Sequence, residues 1–573
     1  MQFLYKYGQK YWTQFGAAVA FVTLEAICDL LQPTIMSRII DEGVAGRQMD
    51  LVMHMGVLML CITALGALAA TARNIMSSTV SQRLGADLRS ELYEKIQSLS
   101  FANIDNLDRA SLVTRLTNDV TQVQILANGL MRISLKAPLL CIGSLIMATS
   151  LNPGLTVVLA IVVPVIGVLI AINMKLGFPL FMKVQTALDR VNSVMREYLA
   201  GVRVVKAYNR FCYEVDKFEK ANEELQGWSI AAMRRMAVFV PSIMLTMNLG
   251  IVAVLWLGGL GVSKGQIQAG QIIAFINYMT QILFSLVIIS MMFNMFARAK
   301  VSAQRIGEVF LQENTMTWRG SEGNAANSNG RIDFVHVSFS YEGLEPVLKD
   351  ISLTCMPGQT VGIIGSTGSG KSTLVGLIPR FYDVSAGCVK VGGEDVKDIN
   401  PRTLREKIAI VPQKTMLFTG TILENIRWGK ENATLEEVER AARLAEAHEF
   451  IKSFPEGYKT KLGQGGVNLS GGQKQRISIA RALVRNPEIL ILDDCTSAVD
   501  VATEARIKES LKKYRAALTC IIISQRLITV MDADKIAVMD GGEIVGMGNH
   551  EELIKNCQVY NEILQSQLGK ERQ

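Results

Sequence analysis

Residues 365–373 have the types and spacing needed to bind phosphate groups. Their segment, GSTGSGKST, follows the apolar run TVGIIG and precedes a helical pattern, which predicts a strand, a glycine-rich loop and a helix. Glycines let backbone N–H groups surround phosphates, while Lys371 reaches the β- and γ-phosphates and Ser372 offers a hydroxyl to magnesium. The candidate nucleotide-binding residues of this P-loop are Gly365, Ser366, Thr367, Gly368, Ser369, Gly370, Lys371, Ser372 and Thr373.

Two acids at the end of a second apolar run complete the chemistry that the P-loop requires. The run ILILDD occupies 489–494, where Asp493 can hold magnesium through water while Asp494 faces the γ-phosphate. An acidic strand end is the expected companion of a P-loop. Together the two segments predict a site for a nucleoside triphosphate and Mg²⁺.

The elements that position this site belong to an α/β domain predicted at 331–573. Runs rich in β-branched residues alternate there with helical patterns. The polar segment 311–330 contains SEGNAANSNG and predicts a flexible linker. Hydrophobic residues make up 49% of the chain and charged residues 19%, and since the apolar residues cluster within 1–310, that part is predicted to be a membrane domain.

Six apolar stretches are long enough to cross a hydrocarbon layer about 30 Å thick. They lie at 15–40, 51–75, 125–150, 154–178, 236–262 and 269–297. The short connections between them hold at most one Lys or Arg each, whereas 76–122 holds five and 175–235 holds eleven. The positive-inside bias therefore predicts a multi-pass protein of the cell membrane with both termini in the cytosol.

The two basic segments keep helical apolar spacing, so the membrane helices are predicted to continue into the cytosol. The pattern breaks at 101–120 and again at 209–215. Each break is compatible with a short transverse helix that contacts a cytosolic domain, or with a plain surface turn. The predicted fold class is an α-helical membrane domain of six transmembrane helices with long cytosolic extensions, fused to an α/β P-loop domain.

Two carboxylates lie inside the first apolar stretch. Glu25 and Asp29 are four residues apart and so share one helical face. Because carboxylates are costly in lipid, this face is predicted to look into the helix bundle or a water-filled cavity. The pair is a candidate substrate cavity, or it pairs internally with Arg132 or Lys136 of the third stretch, cations that could instead snorkel toward the inner interface.

The formal net charge of +7 does not indicate nucleic acid as a partner. Lys and Arg gather between the apolar stretches, where anionic lipid head groups are the simpler partners. The nine cysteines lie far apart without a CxxC pair, which favours free, mostly buried thiols over a zinc site or a short disulfide framework. Membrane lipid is therefore the expected partner, and nucleic acid is not.

Three further segments carry a resemblance to a known family. They are LSGGQKQR at 469–476, VPQ at 411–413 and SAVD at 497–500. Together with the P-loop they are similar to ATP-binding cassette (ABC) transporters, and the six apolar stretches extend the resemblance to the exporter type over nearly the whole chain. The resemblance implies an ATP-binding cassette domain with ATP and Mg²⁺ as cofactors. It also implies two cassettes that close head to tail, each ATP lying between one chain's P-loop and the other's LSGGQ.

The resemblance assigns roles to further residues. It implies that Tyr341 stacks on adenine, an ordinary strand aromatic being the alternative, and that Gln413 joins magnesium to the transmembrane contacts. The candidate catalytic residues are Gln413, Asp494, Asp500 and Gln525. The candidate metal ligands are Ser372, Gln413 and Asp493. The signature that completes the partner's site is Leu469, Ser470, Gly471, Gly472 and Gln473.

The sequence departs from the family pattern at two positions of one site. Asp494 stands where the family usually has a Glu that polarises the attacking water, and its side chain is one methylene shorter. Gln525 stands where the family normally has a His before Arg-Leu, and an amide cannot carry an imidazole's positive charge. The intact LSGGQ can still complete a site on another polypeptide. This asymmetry resembles the degenerate half of bacterial heterodimeric multidrug exporters.

The sequence thus predicts an ATP hydrolase coupled to transport, with a weak or inactive site of its own. Its partner is expected to be a second, different half-transporter. The expected substrate is an amphiphilic small molecule, drug-like or lipid-like, moved outward by alternating access. The alternatives are a dedicated lipid, peptide or porphyrin exporter, and an ATP-gated regulator or channel.

Overall fold

The computed structural model describes residues 6–7, 9–316, 330–341, 345–514 and 518–568. Contacts divide the chain into two compact units. The first contains the chain up to Gln97 together with Arg109–Gln312, and the second contains Ser98–Asp108 together with the chain from Glu313 onward. Most of the linker predicted at 311–330 lies outside the described residues, and the domain boundaries stay a prediction.

Within the described residues, six helices are long and apolar enough to cross a membrane, as the sequence predicted. They are Trp12–Val44, Met49–Ser98, Ala110–Leu151, Thr156–Ala207, Phe211–Ser263 and Ala269–Leu311. Each is longer than the apolar stretch that predicted it. The prediction that the spans continue as long helical extensions is therefore confirmed.

The helices before the α/β domain are numbered in chain order. They are α1 (Trp12–Arg38), α2 (Met49–Ser98), α3 (Phe101–Asn106), α4 (Arg109–Thr114), α5 (Val120–Gly129), α6 (Lys136–Leu151), α7 (Thr156–Ala207), α8 (Phe211–Ser263) and α9 (Ala269–Leu311). Three π-helical segments among the described residues extend or join them, at Ile39–Val44, Arg115–Asp119 and Leu130–Ser134. The first and third apolar stretches are therefore not single α-helices, because one π-helical segment follows α1 and another separates α5 from α6.

The two sequence breaks form different structures. At the first, Ser100 caps the short helix α3 by accepting a hydrogen bond from the Asn103 N–H. At the second, helix α7 ends at Ala207 and α8 begins at Phe211. The prediction of a short transverse helix at 209–215 is therefore wrong. The reason is local, since Asn209 has a φ of +50° and reverses the chain in a tight turn.

The first unit has an apolar core between helices α6 to α9. Its largest fully buried side chains include Phe275, Tyr278 and Met279 of α9. The Tyr278 hydroxyl donates to the Leu30 carbonyl of α1 at 2.6 Å, which satisfies the one polar atom of a buried ring. This core joins α1 to the later helices.

The described residues of the second unit form three sheets. Its strands are β1 (Ile332–Phe339), β2 (Leu348–Cys355), β3 (Thr360–Gly365), β4 (Ala386–Val391), β5 (Glu394–Asp395), β6 (Ile408–Val411), β7 (Gly420–Thr421), β8 (Lys461–Leu462), β9 (Ile489–Asp493), β10 (Thr519–Ile523), β11 (Lys535–Asp540) and β12 (Glu543–Gly548). The strand orders are β12-β11-β3-β10-β9-β6, β2-β1-β4-β5 and β7-β8. The first sheet is parallel except for its edge strand β12.

Helices cover the parallel sheet, as expected for strands buried on both faces. Among the described residues, the α-helices of this unit after β3 are α10 (Lys371–Gly376), α11 (Pro401–Lys407), α12 (Ile422–Arg427), α13 (Leu435–Leu444), α14 (His448–Ser453), α15 (Gly471–Leu483), α16 (Val501–Tyr514), α17 (Leu527–Val530), α18 (His550–Asn556) and α19 (Gln558–Leu568). Every residue of the central strands β9 and β10 is buried. The rigid sheet therefore fixes where the loops after its strands begin.

Candidate nucleotide site

Parallel strands of the large sheet end at one edge, and the predicted site residues follow them. The register pairs Ile523 of β10 with both Ile363 of β3 and Asp493 of β9. It pairs Val411 of β6 with Leu492 of β9. Since ligands of such sheets bind beyond the carboxyl ends of the strands, residues far apart in sequence meet at this edge.

The P-loop between β3 and α10 encloses the Lys371 ammonium. Gly370 has a φ of +93°, and a Cβ there would lie 2.7 Å from Leu348 Cδ2, so the turn requires glycine. Lys371 Nζ donates to the carbonyls of Gly365 at 3.0 Å and Ser366 at 2.6 Å. Burial lowers the pKa of Lys371, although two nearby carboxylates act in the opposite direction. The cation is thus held inside the loop, where it can contact an anion that the loop surrounds.

Ser372 and Asp493 form the candidate magnesium position. The Ser372 hydroxyl donates to Asp493 Oδ1 at 3.0 Å. Burial raises the pKa of Asp493, the neighbouring Asp494 adds to this, and the Ser372 hydrogen bond and Lys371 oppose it. Hydroxyl and carboxylate oxygens are hard ligands of the kind that Mg²⁺ prefers, so this pair fits the ion.

Asp494 lies at the predicted catalytic position, but it is held by protein groups. Its backbone N–H donates to the Ile523 carbonyl at 2.9 Å, and its φ is +45°. Its Oδ2 accepts from Gln413 Nε2 at 3.3 Å. The reach of its carboxylate is therefore set by side-chain length.

Gln525 follows β10 and lines a pocket together with Lys371 and Asp494. Its backbone carbonyl accepts from Gln567 Nε2 at 2.7 Å, and Gln567 Oε1 accepts from the Leu527 N–H at 2.8 Å. One side chain of α19 thus fixes both sides of the turn that carries Gln525. Gln567 was not predicted from the sequence, because no local motif marks it.

One pocket brings together most of the predicted nucleotide-site residues. Its lining residues are Val347, Thr367, Gly368, Gly370, Lys371, Ser372, Thr373, Gln413, Asp493, Asp494, Ile523 and Gln525. Val347 and Ile523 were missed, since apolar residues beside a P-loop carry no sequence signal of their own. Both departures from the family pattern, Asp494 and Gln525, lie in this single pocket.

Tyr341 lies beside the P-loop helix. Its hydroxyl is 3.2 Å from Thr373 Oγ1. Its ring meets Phe339 and Tyr382 edge to face, with centroids 4.9 Å and 5.3 Å away. This placement is compatible with the expected contact to adenine, which stays a prediction.

The signature residues and Asp500 do not line this pocket in the described part of the chain. Ser470 is the N-cap of α15 and forms a reciprocal capping box with Gln473. Asp500 Oδ1 accepts from the Thr503 N–H at the start of α16, which lowers the pKa of Asp500. Ser470 and Asp500 are exposed, so both stay accessible to a site other than the one formed by their own P-loop.

A separate cluster of charges lies within the first unit. Glu25 Oε1 is 2.5 Å from Lys136 Nζ, and its Oε2 is 2.7 Å from Arg73 Nη1. Asp29 Oδ2 is 2.8 Å from the same Lys136 Nζ. Of the two predicted cations Lys136 pairs with both acids, while Arg132 pairs with neither among the described residues. Arg73 was missed, although it is the one cation of the second apolar stretch.

Family models match both units of the chain. The model described as the ABC transporter transmembrane region matches residues 15–286. The model described as ABC transporter matches residues 348–497. The first match covers most of the six apolar helices, and the second includes the P-loop, Asp493 and Asp494.

Individual proteins match over almost the full length. The uncharacterized ABC transporter ATP-binding protein YfiB of Bacillus subtilis is 41% identical over 557 residues, covering 97% of this chain and 96% of YfiB. A fatty acid ABC transporter ATP-binding/permease protein of Mycobacterium tuberculosis is 34% identical over 503 residues, covering 88% and 79%. The structure of a bacterial Atm1-family ABC exporter with ATP bound matches with a TM-score of 0.81 and 25% identity, covering 97% and 98%.

Proposed function

The chain belongs to the ABC transporter family as a bacterial exporter half-transporter, and from this premise we propose that it works beside a different half. Its ATP-binding domain couples ATP hydrolysis to transport. In the proposed pair, this chain's own P-loop site hydrolyses ATP poorly. Its LSGGQ signature completes the efficient site on the partner.

The observation that carries the proposal is the position of Asp494 and Gln525 in one pocket with Lys371. A displacement of about 1 Å at a reacting centre can cost on the order of 10²-fold in rate, and Asp494 is short by one methylene. Gln525 can donate a hydrogen bond but cannot supply positive charge. Both losses weaken hydrolysis at one site and leave the signature unaffected.

The remaining residues support binding of ATP. The P-loop and Lys371 would hold the phosphates, Tyr341 the adenine, and Ser372 with Asp493 the magnesium ion. Magnesium, when bound, neutralises phosphate charge. Gln413 is hydrogen-bonded to Asp494 and so links this position to the loop after β6. The site is therefore suited to retaining ATP while the partner's site turns over.

The proposed cargo is an amphiphilic compound, drug-like or lipid-like. A relative described as a fatty acid transporter supports the lipid-like class, which is also compatible with a dedicated lipid exporter. The cation-rich connections 76–122 and 175–235 support cytosolic termini in the cell membrane. Substrate would enter from the cytosolic side and leave outward as ATP shifts the population toward the closed cassettes.

The test compares ATP hydrolysis by this chain alone and by this chain with its partner. A homodimer would contain two sites that each lack both Glu and His, so we expect its turnover to be about 10²-fold or more below that of the pair. Nucleotide binding to both preparations is the control for folding. Brisk hydrolysis by the homodimer would overturn the unequal pair.

A further inference from the structure

We propose that Arg132, at the edge of the Glu25 cluster (Glu25, Asp29, Arg73 and Lys136), binds the anionic headgroup of an amphiphile. The headgroup is an oxyanion, a carboxylate or a phosphate. This inference rests on the proposed function, because it names the substrate class for which the membrane domain is built. It assigns the contact to Arg132, which takes no part in the ion pairs of the cluster among the described residues.

The charge balance of the cluster leaves Arg132 uncompensated. Lys136 lies within 2.8 Å of both carboxylates, and Arg73 takes the second oxygen of Glu25. Among the described residues Arg132 has no carboxylate partner, and its buried Nε has no hydrogen-bond acceptor. Three cations and two acids give a net positive charge. Guanidinium groups prefer planar oxyanions, which they bind through two parallel hydrogen bonds.

The backbone at Arg132 is held in an unusual conformation. Arg132 lies in the π-helical segment Leu130–Ser134, and wide turns of this type are frequent at functional sites. Arg73 Nη1 donates to the Arg132 carbonyl at 3.3 Å. The preceding Met131 is 1% exposed and packs in a cluster with Tyr11 and Val80. The guanidinium is therefore presented from a fixed position.

The depth of Arg132 suits a headgroup. It lies about 19 residues before the helix end at Leu151, roughly 28 Å at 1.5 Å per residue. That is close to the far boundary of a hydrocarbon layer about 30 Å thick, where lipid headgroups begin. Along the following helix α6, Leu139, Ile142 and Ile146 are exposed apolar side chains. An amphiphile with its anion at Arg132 can thus keep its chain beside apolar surface.

The experiment measures binding to the assembled exporter in phosphatidylcholine nanodiscs, without ATP. Oleate and oleyl alcohol share one chain and differ in headgroup charge. We expect Arg132→Gln and Arg132→Leu each to weaken oleate binding about tenfold or more and to change oleyl alcohol binding less than about twofold. Arg132→Lys keeps the charge but loses the pair of parallel hydrogen bonds, so it should retain oleate binding between that of the wild type and that of the two neutral variants. The control is Arg196→Gln, an exposed Arg of α7, which should change neither ligand.

Two sources can supply the oxyanion, a transported amphiphile or a resident lipid. Adding phosphatidylglycerol to the nanodiscs separates them. If the site holds a resident lipid, phosphatidylglycerol competes with oleate, and it does so only in protein that keeps Arg132. Wild-type oleate affinity in both neutral variants, or equal loss of oleate and oleyl alcohol, would overturn the proposal. Since the assay involves no hydrolysis, an active homodimer would contradict the unequal pair and leave this result unaffected.

Discussion

In the proposed unequal pair, side-chain length at residue 494 matters because a hydrogen bond to the large sheet holds the backbone there. The Asp494 N–H is bonded to the Ile523 carbonyl, which belongs to a strand buried throughout. Its carboxylate is bonded to the Gln413 amide. The turn at Gln525 is likewise fixed by Gln567. In the proposed unequal pair, hydrolysis at this site is limited by these two side chains.

The first prediction restores those side chains. We expect a homodimer that carries both Asp494→Glu and Gln525→His to hydrolyse ATP about 10²-fold faster than the unaltered homodimer, because each intact signature then meets a complete site. Steady-state phosphate release measures the gain. Each single substitution serves as a control and should recover less. Tight ATP binding by the double variant with no gain in turnover would show that the impairment lies elsewhere.

For individual residues, the sequence predicted the side chains that line the nucleotide pocket better than it predicted the residues that contact and hold functional side chains. The P-loop, Asp493, Asp494 and Gln525 lie in consecutive motifs, so their types and spacing were sufficient to bring them to one pocket. Gln567 and Arg73 act through partners far away in sequence. No local sequence pattern predicts such a contact, which is seen only in the folded structure.

Among the elements, helix α3 is distinctive because it packs within the second unit, although in sequence it follows one long membrane helix and precedes the next. The Phe101 ring is 4.8 Å from the Phe381 ring, and the Tyr382 hydroxyl donates to Asp105 at 2.6 Å. Tyr382 also meets Tyr341, the expected adenine contact, edge to face at 5.3 Å. Tyr382 therefore touches both α3 and Tyr341.

This dual contact gives a prediction for Tyr382→Phe. The ring contact is kept while the hydrogen bond to Asp105, of about 1 kcal/mol, is lost. We expect ATP affinity to change less than about twofold and stimulation of hydrolysis by transported substrate to fall. ATP titration and substrate-stimulated phosphate release on the assembled exporter separate the two effects. Tyr382→Ala is the comparison, since it removes both contacts and should weaken both properties. Full stimulation in Tyr382→Phe would show that the hydroxyl does not couple substrate binding to ATP hydrolysis.

Helical and strand elements were predictable where a period continues over many residues. The six spans and the alternating α/β pattern are of this kind. The breaks were not, because a few irregular residues fit either a turn or a short helix. At 101–120 a serine cap favours a helix, whereas Asn209 reverses the chain so tightly that α8 starts two residues later.

For the whole assembly, the decisive feature is that the signature lies outside its own pocket. Ser470 begins α15 and has its hydroxyl in a capping box with Gln473. The P-loop pocket is lined by other residues. In a head-to-tail pair, each ATP would therefore depend on two polypeptides, and damage to this chain's P-loop and to its signature would affect different sites.

The last prediction compares these two kinds of damage in the assembled pair. Lys371→Ala removes the cation of this chain's own site, so we expect weaker nucleotide retention there with turnover largely kept. Ser470→Arg fills the space that the signature offers to the partner's ATP, so turnover should stop almost completely. Arginine also removes an N-cap worth about 1 kcal/mol, and Thr434→Arg is the matched control because Thr434 caps α13 with the same capping box. Thr434→Arg should hydrolyse ATP at the unaltered rate. If Lys371→Ala stopped turnover as fully as Ser470→Arg in an intact assembly, the two sites would be equal partners in hydrolysis.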